Sequence, residues 1–127
     1  MKLFRFALPL AVAATLMATS ASAFAWDLLG IRTVSKGIDR DSIRVAGNNR
    51  HRQFRMCVRL AGVHVRHIRI RFNNGGSQDV SVRRYFAPGT CTRAVDLKGN
   101  RRNIRRIDIA YNRVNSQRLP LVGFWAR

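Results

Sequence analysis

The side chains that could do chemistry here are three histidines, two cysteines, six carboxylates that are all aspartate, and a large excess of arginine. His64 and His67 form an H-x-x-H. On a strand, residues three apart project to opposite faces, so this spacing predicts no shared metal ion. His51 sits between Arg50 and Arg52. A ribonuclease using His51 and His67 as base and acid is the one catalytic pairing on offer, and residue type alone is a weak warrant for it. No nucleophile motif, phosphate loop or zinc ligand set is present. No catalytic residue, metal or cofactor is expected, and a small hydrolase or nuclease is the least supported alternative.

Asp39, Asp41 and Asp96 could mark a cation site at one end of a fold, but hard cations ask for more oxygen ligands than three scattered aspartates supply. Structural ion pairs are the expectation, with Arg40 and Arg102 above all as the partners that fix loops. Cys57 and Cys91 are the only thiols. In an oxidising compartment an even pair is most simply a disulfide, here one pointing away from the core toward a neighbouring strand.

The arginines carry the strongest signal. The chain has 24 basic and six acidic residues, a net charge of +18. No acid lies between Asp41 and Asp79, while arginine recurs throughout that interval. Alternating arginines are ordinarily the solvated face of a sheet. With so few acids to pair them, however, they set up a field that attracts polyanions. Arg55, Arg59, Arg66, Arg69 and Arg71 are the candidate binding residues. Lipopolysaccharide, anionic lipid, acidic glycan and nucleic acid are the ligand classes. Base stacking is poorly supported, because Phe54, Phe72, Phe86 and Tyr111 share the aliphatic parity and only Tyr85 lies opposite.

These residues are positioned by strands. From Gln53 to Phe72 two alternating runs meet at Gly62: Phe54, Met56, Val58 and Leu60 against Arg55, Cys57 and Arg59, then Ile68, Ile70 and Phe72 against His67, Arg69 and Arg71. Period two is the signature of a half-buried strand, and the pair reads as a hairpin with one apolar and one arginine face. That hairpin would place Arg55 and Arg59 beside Arg69 and Arg71, and its apolar face would be covered by strands around Val95 and Ile107. Val65 has the wrong parity for Ile68, which predicts a bulge or a late strand start near Arg66. Asn73-Asn74-Gly75-Gly76, Pro88-Gly89 and Lys98-Gly99-Asn100 are turn signals separating further short strands. Only Gly99 to Ile104 has room for a turn of helix. The fold class is all-β, an antiparallel β-sandwich of about seven or eight strands, with a closed barrel as the alternative.

Met1 to Arg5 is positive, Phe6 to Met17 apolar, and Ala21-Ser22-Ala23 a small-residue cleavage pattern, which together predict a signal peptide over residues 1–23. The apolar run is shorter than the roughly 20 residues of a membrane span. Residues 24–127 form one domain of 104 residues with a charge of +16. The expected location is periplasmic or secreted, with no transmembrane segment after cleavage.

Trp26-x-Leu28-Leu29-Gly30-x-Arg32-x-Val34, Asp39-Arg40-Asp41-x-Ile43-x-Val45, the Asn74-Gly75 turn and Val95-Asp96-Leu97-Lys98-Gly99-x-x-Arg102-x-Ile104-x-x-Ile107 resemble a family of small secreted bacterial proteins carrying a domain of unknown function. The resemblance spans nearly the whole mature chain. It implies a fold and an address and brings no activity with it. Val95-Asp96-Leu97-x-Gly99 and the strand order resemble, more distantly, jelly-roll domains of the galactose-binding type, which implies a carbohydrate-binding module as a second alternative. The leading expectation is a noncatalytic cell-envelope module with an arginine-rich, polyanion-attracting face.

Overall fold

Alternation of apolar and polar residues gives each strand one face to hide, and two such sheets can hide each other's. The computed structural model describes residues 25–47 and 50–127, and the expected leader over residues 1–23 lies outside them. Ten strands follow one another with no helix among the described residues: β1 (Asp27–Thr33), β2 (Arg40–Arg44), β3 (Arg50–His51), β4 (Gln53–Arg59), β5 (Val63–Phe72), β6 (Ser77–Phe86), β7 (Thr90–Cys91), β8 (Val95–Asp96), β9 (Arg102–Tyr111) and β10 (Leu121–Ala126). The first sheet runs β1-β10-β4-β7, with β8 also on β4. The second runs β2-β9-β5-β6, with β3 also on β9. Every pairing is antiparallel, as a β-sandwich requires. The count exceeds the expected seven or eight because three strands are two residues long.

The core lies between the sheets. Phe54, Met56 and Val58 of β4 and Val122 and Phe124 of β10 face Ile68, Ile70 and Phe72 of β5 and Ile107 and Tyr111 of β9, all buried. Phe54 and Phe124 stack with ring centroids 6.0 Å apart. One side of the sandwich is closed by Arg32 of β1, whose Nε lies 3.3 Å from Asp41 Oδ1 of β2 and whose guanidinium donates to the Ser42 carbonyl at 2.5 Å.

Gln53 to Phe72 is not a hairpin. β4 pairs with β10, β7 and β8, whereas β5 pairs with β6 and β9. Residues 60–62 carry the chain from one sheet to the other. Leu60 takes a left-handed φ of 71°, and a Cβ on Gly62 would collide with the Tyr85 ring that lies over it. A hairpin would set both apolar faces side by side, uncovered; crossing between sheets lets each cover the other. Leu60, on the apolar parity, is instead 56% exposed at the crossing. Ile107 pairs alongside β5 rather than covering it, as its strand joins the same sheet.

The break in parity at Arg66 is a bulge: the register of β5 shifts between Val65 and His67 against both β6 and β9. Val63 and Val65 therefore face inward together with Ile68 and Ile70. The stretch from Gly99 to Ile104 forms a turn and the start of β9, with no helical turn.

Candidate anion-binding face

Three rows of side chains cross the outer face of the second sheet, in the order β6, β5, β9, β2. They are Ser77–Arg71–Arg106–Arg44, then Asp79–Arg69–Asp108–Ser42, then Ser81–His67–Ala110–Arg40. The first sets three arginines side by side, an arrangement that repels itself. The second supplies the acids. Arg69 grips Asp79 with two hydrogen bonds, 2.7 Å from Nε and 3.1 Å from Nη2. Asp108 accepts from Arg71 Nε at 2.7 Å on one oxygen and from Arg106 Nε at 2.8 Å on the other.

The carboxylates answer to these contacts. Partial burial pushes the Asp108 pKa up, but hydrogen bonds from Arg71, Arg106 and Ser42 together hold it below its ordinary value. The Arg69 hydrogen bond likewise depresses Asp79. Both stay ionised in neutral solution. A guanidinium carries five N–H donors, and the contacts to Asp108 use only the Nε of Arg71 and of Arg106. The terminal nitrogens of both remain for an oxyanion, since the planar guanidinium fork suits two oxygens of a phosphate, sulfate or carboxylate. They line an open groove of about 540 Å³ with Arg40, His67 and Arg69.

The charge continues past the groove. The register of β9 shifts between its pairings Arg71–Arg106 and Phe72–Ile104, so Arg105 is the extra, bulged residue and is exposed beside Arg106. At the adjoining end Arg50, Arg101 and Arg102 line a second hollow of about 280 Å³ with Asn73, Asn74 and Asn103 and no acid. Arg102 is committed to structure: its guanidinium lies 3.8 Å above Phe72 and donates to the Lys98 carbonyl at 2.8 Å and to Asn74 Oδ1 at 3.0 Å. From Arg101 along β9 to Arg106, roughly 15 to 20 Å of strand, Arg50, Arg101 and Arg105 thus extend the cationic row of Arg44, Arg71 and Arg106, of which Arg71 and Arg106 share the carboxylate of Asp108.

The five arginines named from sequence do not converge. Arg69 and Arg71 belong to this face. Arg55 and Arg59 lie on the outer face of the first sheet, across the sandwich, because β4 and β5 joined different sheets. Arg66, at the bulge, reaches Asp39 at 3.8 Å and donates to the Tyr111 carbonyl at 3.4 Å. The expected ion pairs have other partners: Asp39 meets Arg66, Asp41 meets Arg32, and Asp96 accepts the Gln53 amide at 3.0 Å. Among the described residues neither Arg40 nor Arg102 pairs with a carboxylate. Cys57 and Cys91 are bridged across the directly opposed positions of β4 and β7, on the outward face, as expected.

The histidines stay apart. His51 is 3% exposed, with Nε2 3.2 Å from Asp27 Oδ2. It lies opposite Arg102 while His67 lies opposite Ala110, eight β9 residues away, or about 25 Å. No acid–base pair can be made of them. The bulge between His64 and His67 brings both to the outward side, correcting the expectation of opposite faces. Among the described residues, though, no three His, Cys, Asp or Glu side chains form a group that could hold a metal.

A family model described as "Domain of unknown function (DUF2541)" matches residues 9–123. The chain belongs to that family. No curated protein and no solved structure matches it. The binding residues expected from sequence do not include Arg101, Arg105 or Arg106 of this DUF2541 chain. Arg101-Arg102 and Arg105-Arg106 form a doublet repeated at a spacing of four, legible as charge density but read as a turn followed by a strand.

Proposed function

We propose that this DUF2541 chain is a noncatalytic binding module, exported to the periplasm or beyond, that holds phosphate- or sulfate-bearing polymers on the outer face of its second sheet. The observation behind this reading is the run of Arg44, Arg50, Arg71, Arg101, Arg105 and Arg106 along one side of the sheet, in which Asp108 pairs with Arg71 and Arg106 alone. An open groove with cations spread along a strand suits a repeating anion better than one small molecule, since each arginine can meet a successive charge. Export is supported by the leader pattern in the sequence and by the disulfide, a bond that persists outside reducing compartments. Among the described residues no helix is long and apolar enough to cross a membrane. Tyr85, the exposed aromatic opposite the core, belongs to the far end of β6 and pairs with His64, so the binding draws on charge without base stacking.

The test is anisotropy of a labelled duplex oligonucleotide, and of heparin, titrated against salt. Binding should weaken with a log–log slope of about −0.9 per duplex phosphate contacted. Arg105→Ser/Arg106→Ser should make that slope shallower by roughly two contacts' worth. No binding at low salt, binding indifferent to salt, or an equal loss from Arg55→Ser/Arg59→Ser would overturn the reading.

A further inference from the structure

The outer face of the first sheet is of a different kind. Its rows, in the order β1, β10, β4, are Leu28–Trp125–Arg55, Ile31–Gly123–Cys57 and Thr33–Leu121–Arg59. Leu28 and Ile31 are 48% and 52% exposed. Trp125 lies across Gly123, its indole nitrogen 3.3 Å from where a Cβ would stand. Beside it a shallow trough of about 200 Å³ is walled by Ile31, Leu121, Cys57 and Arg59. At the rim, the Trp26 ring meets the guanidinium groups of Arg55 and Arg127, 4.5 and 4.4 Å from its centroid. These three rows contain no carboxylate. The nearest are Asp27, which precedes Leu28 in β1 and meets His51 Nε2 at 3.2 Å, and Asp96 at the corner, which accepts the Gln53 amide.

We infer that this face docks onto the headgroup layer of an anionic lipid bilayer, an activity separate from polymer binding on the opposite face. Tryptophan, with an apolar body and a polar N–H, suits the boundary between headgroups and acyl chains, and Leu28 and Ile31 beside it supply apolar area to enter that layer. Arg55, Arg59 and Arg127 at the rim meet lipid phosphates with the complementary charge. A second copy of the chain fits poorly, because two-fold pairing would press Arg55 and Arg59 toward the same residues of the partner. A sugar fits poorly as well, since a saccharide platform needs acceptors as well as donors around its ring, and here Trp125 is flanked by aliphatic side chains, a disulfide and the donor-only guanidinium groups of Arg55 and Arg59.

The only two tryptophans of the chain both belong to this face, so their fluorescence reports on it directly. With Trp26→Phe leaving Trp125 as sole reporter, vesicles of equimolar phosphatidylglycerol and phosphatidylcholine should shift its emission to the blue, and brominated acyl chains should quench it. Leu28→Ser/Ile31→Ser, two exposed positions whose loss leaves the core intact, should weaken partitioning on the order of tenfold, while oligonucleotide binding stays at the parent value. Arg105→Ser/Arg106→Ser should do the reverse. An unshifted Trp125, an unchanged partition for Leu28→Ser/Ile31→Ser in protein whose melting temperature is preserved, or equal partition onto pure phosphatidylcholine would overturn the inference. Concentration-dependent dimerisation abolished by the same double substitution would assign the face to a second copy instead.

Discussion

Tyr111 is wholly buried at the end of β9, yet its hydroxyl finds Asp41 Oδ2 at 3.4 Å. The same carboxylate meets Arg32 and accepts the Ser42 backbone N–H at 3.0 Å. Burial, reinforced by the Asp41 charge, raises the Tyr111 pKa to about 12 from an ordinary value of 10.0. The folded chain therefore favours the neutral phenol more than the unfolded chain does. The stability this supplies is whole below the unfolded pKa and drains away as pH rises through the folded one. Urea midpoints should hold up to about pH 10 and fall between about pH 10 and 12. Tyr111→Phe should cost about 1 kcal/mol at neutral pH, a typical net hydrogen bond, and flatten the alkaline fall. An equally steep fall in the variant would mean that another group titrates.

At the scale of elements the weak point of the sandwich is its β7 edge. β7 is two residues long and is tied to β4 by the Cys57–Cys91 bridge. Closing about 35 residues of chain contributes roughly 3 to 4 kcal/mol by restricting the unfolded state. Cys57→Ala/Cys91→Ala should lower the melting temperature by on the order of 10 to 20 °C, and far-ultraviolet circular dichroism should stay β-rich, since the ladder of β4 along β10 does not depend on the bridge. Loss of the β signal at low temperature would show that the bridge is needed for folding. The strands and their buried faces were legible because period two is written in the sequence: Phe54, Met56 and Val58, or Ile68 and Ile70, could face only inward. Even the bulge at Arg66 showed as a parity error. Which neighbour each strand takes was not legible, because alternation fixes a face and says nothing of a partner. That one gap separated Arg55 and Arg59 from Arg69 and Arg71. Arg105 illustrates the other kind of miss: it shares the parity of Ile107 and Ile109, and only a second bulge turns it outward beside Arg106. The trough over Gly123 required β1 and β10 to be neighbours, though their sequences lie at opposite ends of the domain.

For the whole molecule, the two outer faces divide the cationic side chains by their company. On the second sheet arginines alternate with Asp79 and Asp108, a polar lattice wetted throughout and suited to hydrated anions. On the first they border Trp125, Leu28 and Ile31, where charge and apolar area act together. The core separates the faces, so a bilayer on one leaves the other free. If both proposals hold, the molecule is a bridge, and bridging is measurable where each face alone gives nothing. Anionic vesicles and a labelled oligonucleotide repel each other and should not sediment together. Protein at concentrations well below the lipid should bring the oligonucleotide down with the vesicles. Either Leu28→Ser/Ile31→Ser or Arg105→Ser/Arg106→Ser should abolish that co-sedimentation while sparing the contact made by the intact face. Moderate salt should release the oligonucleotide first, because its binding rests on counterion release whereas docking also draws on apolar burial. Simultaneous release of protein and oligonucleotide, or co-sedimentation that survives either double substitution, would mean that one undivided cationic surface serves both anions.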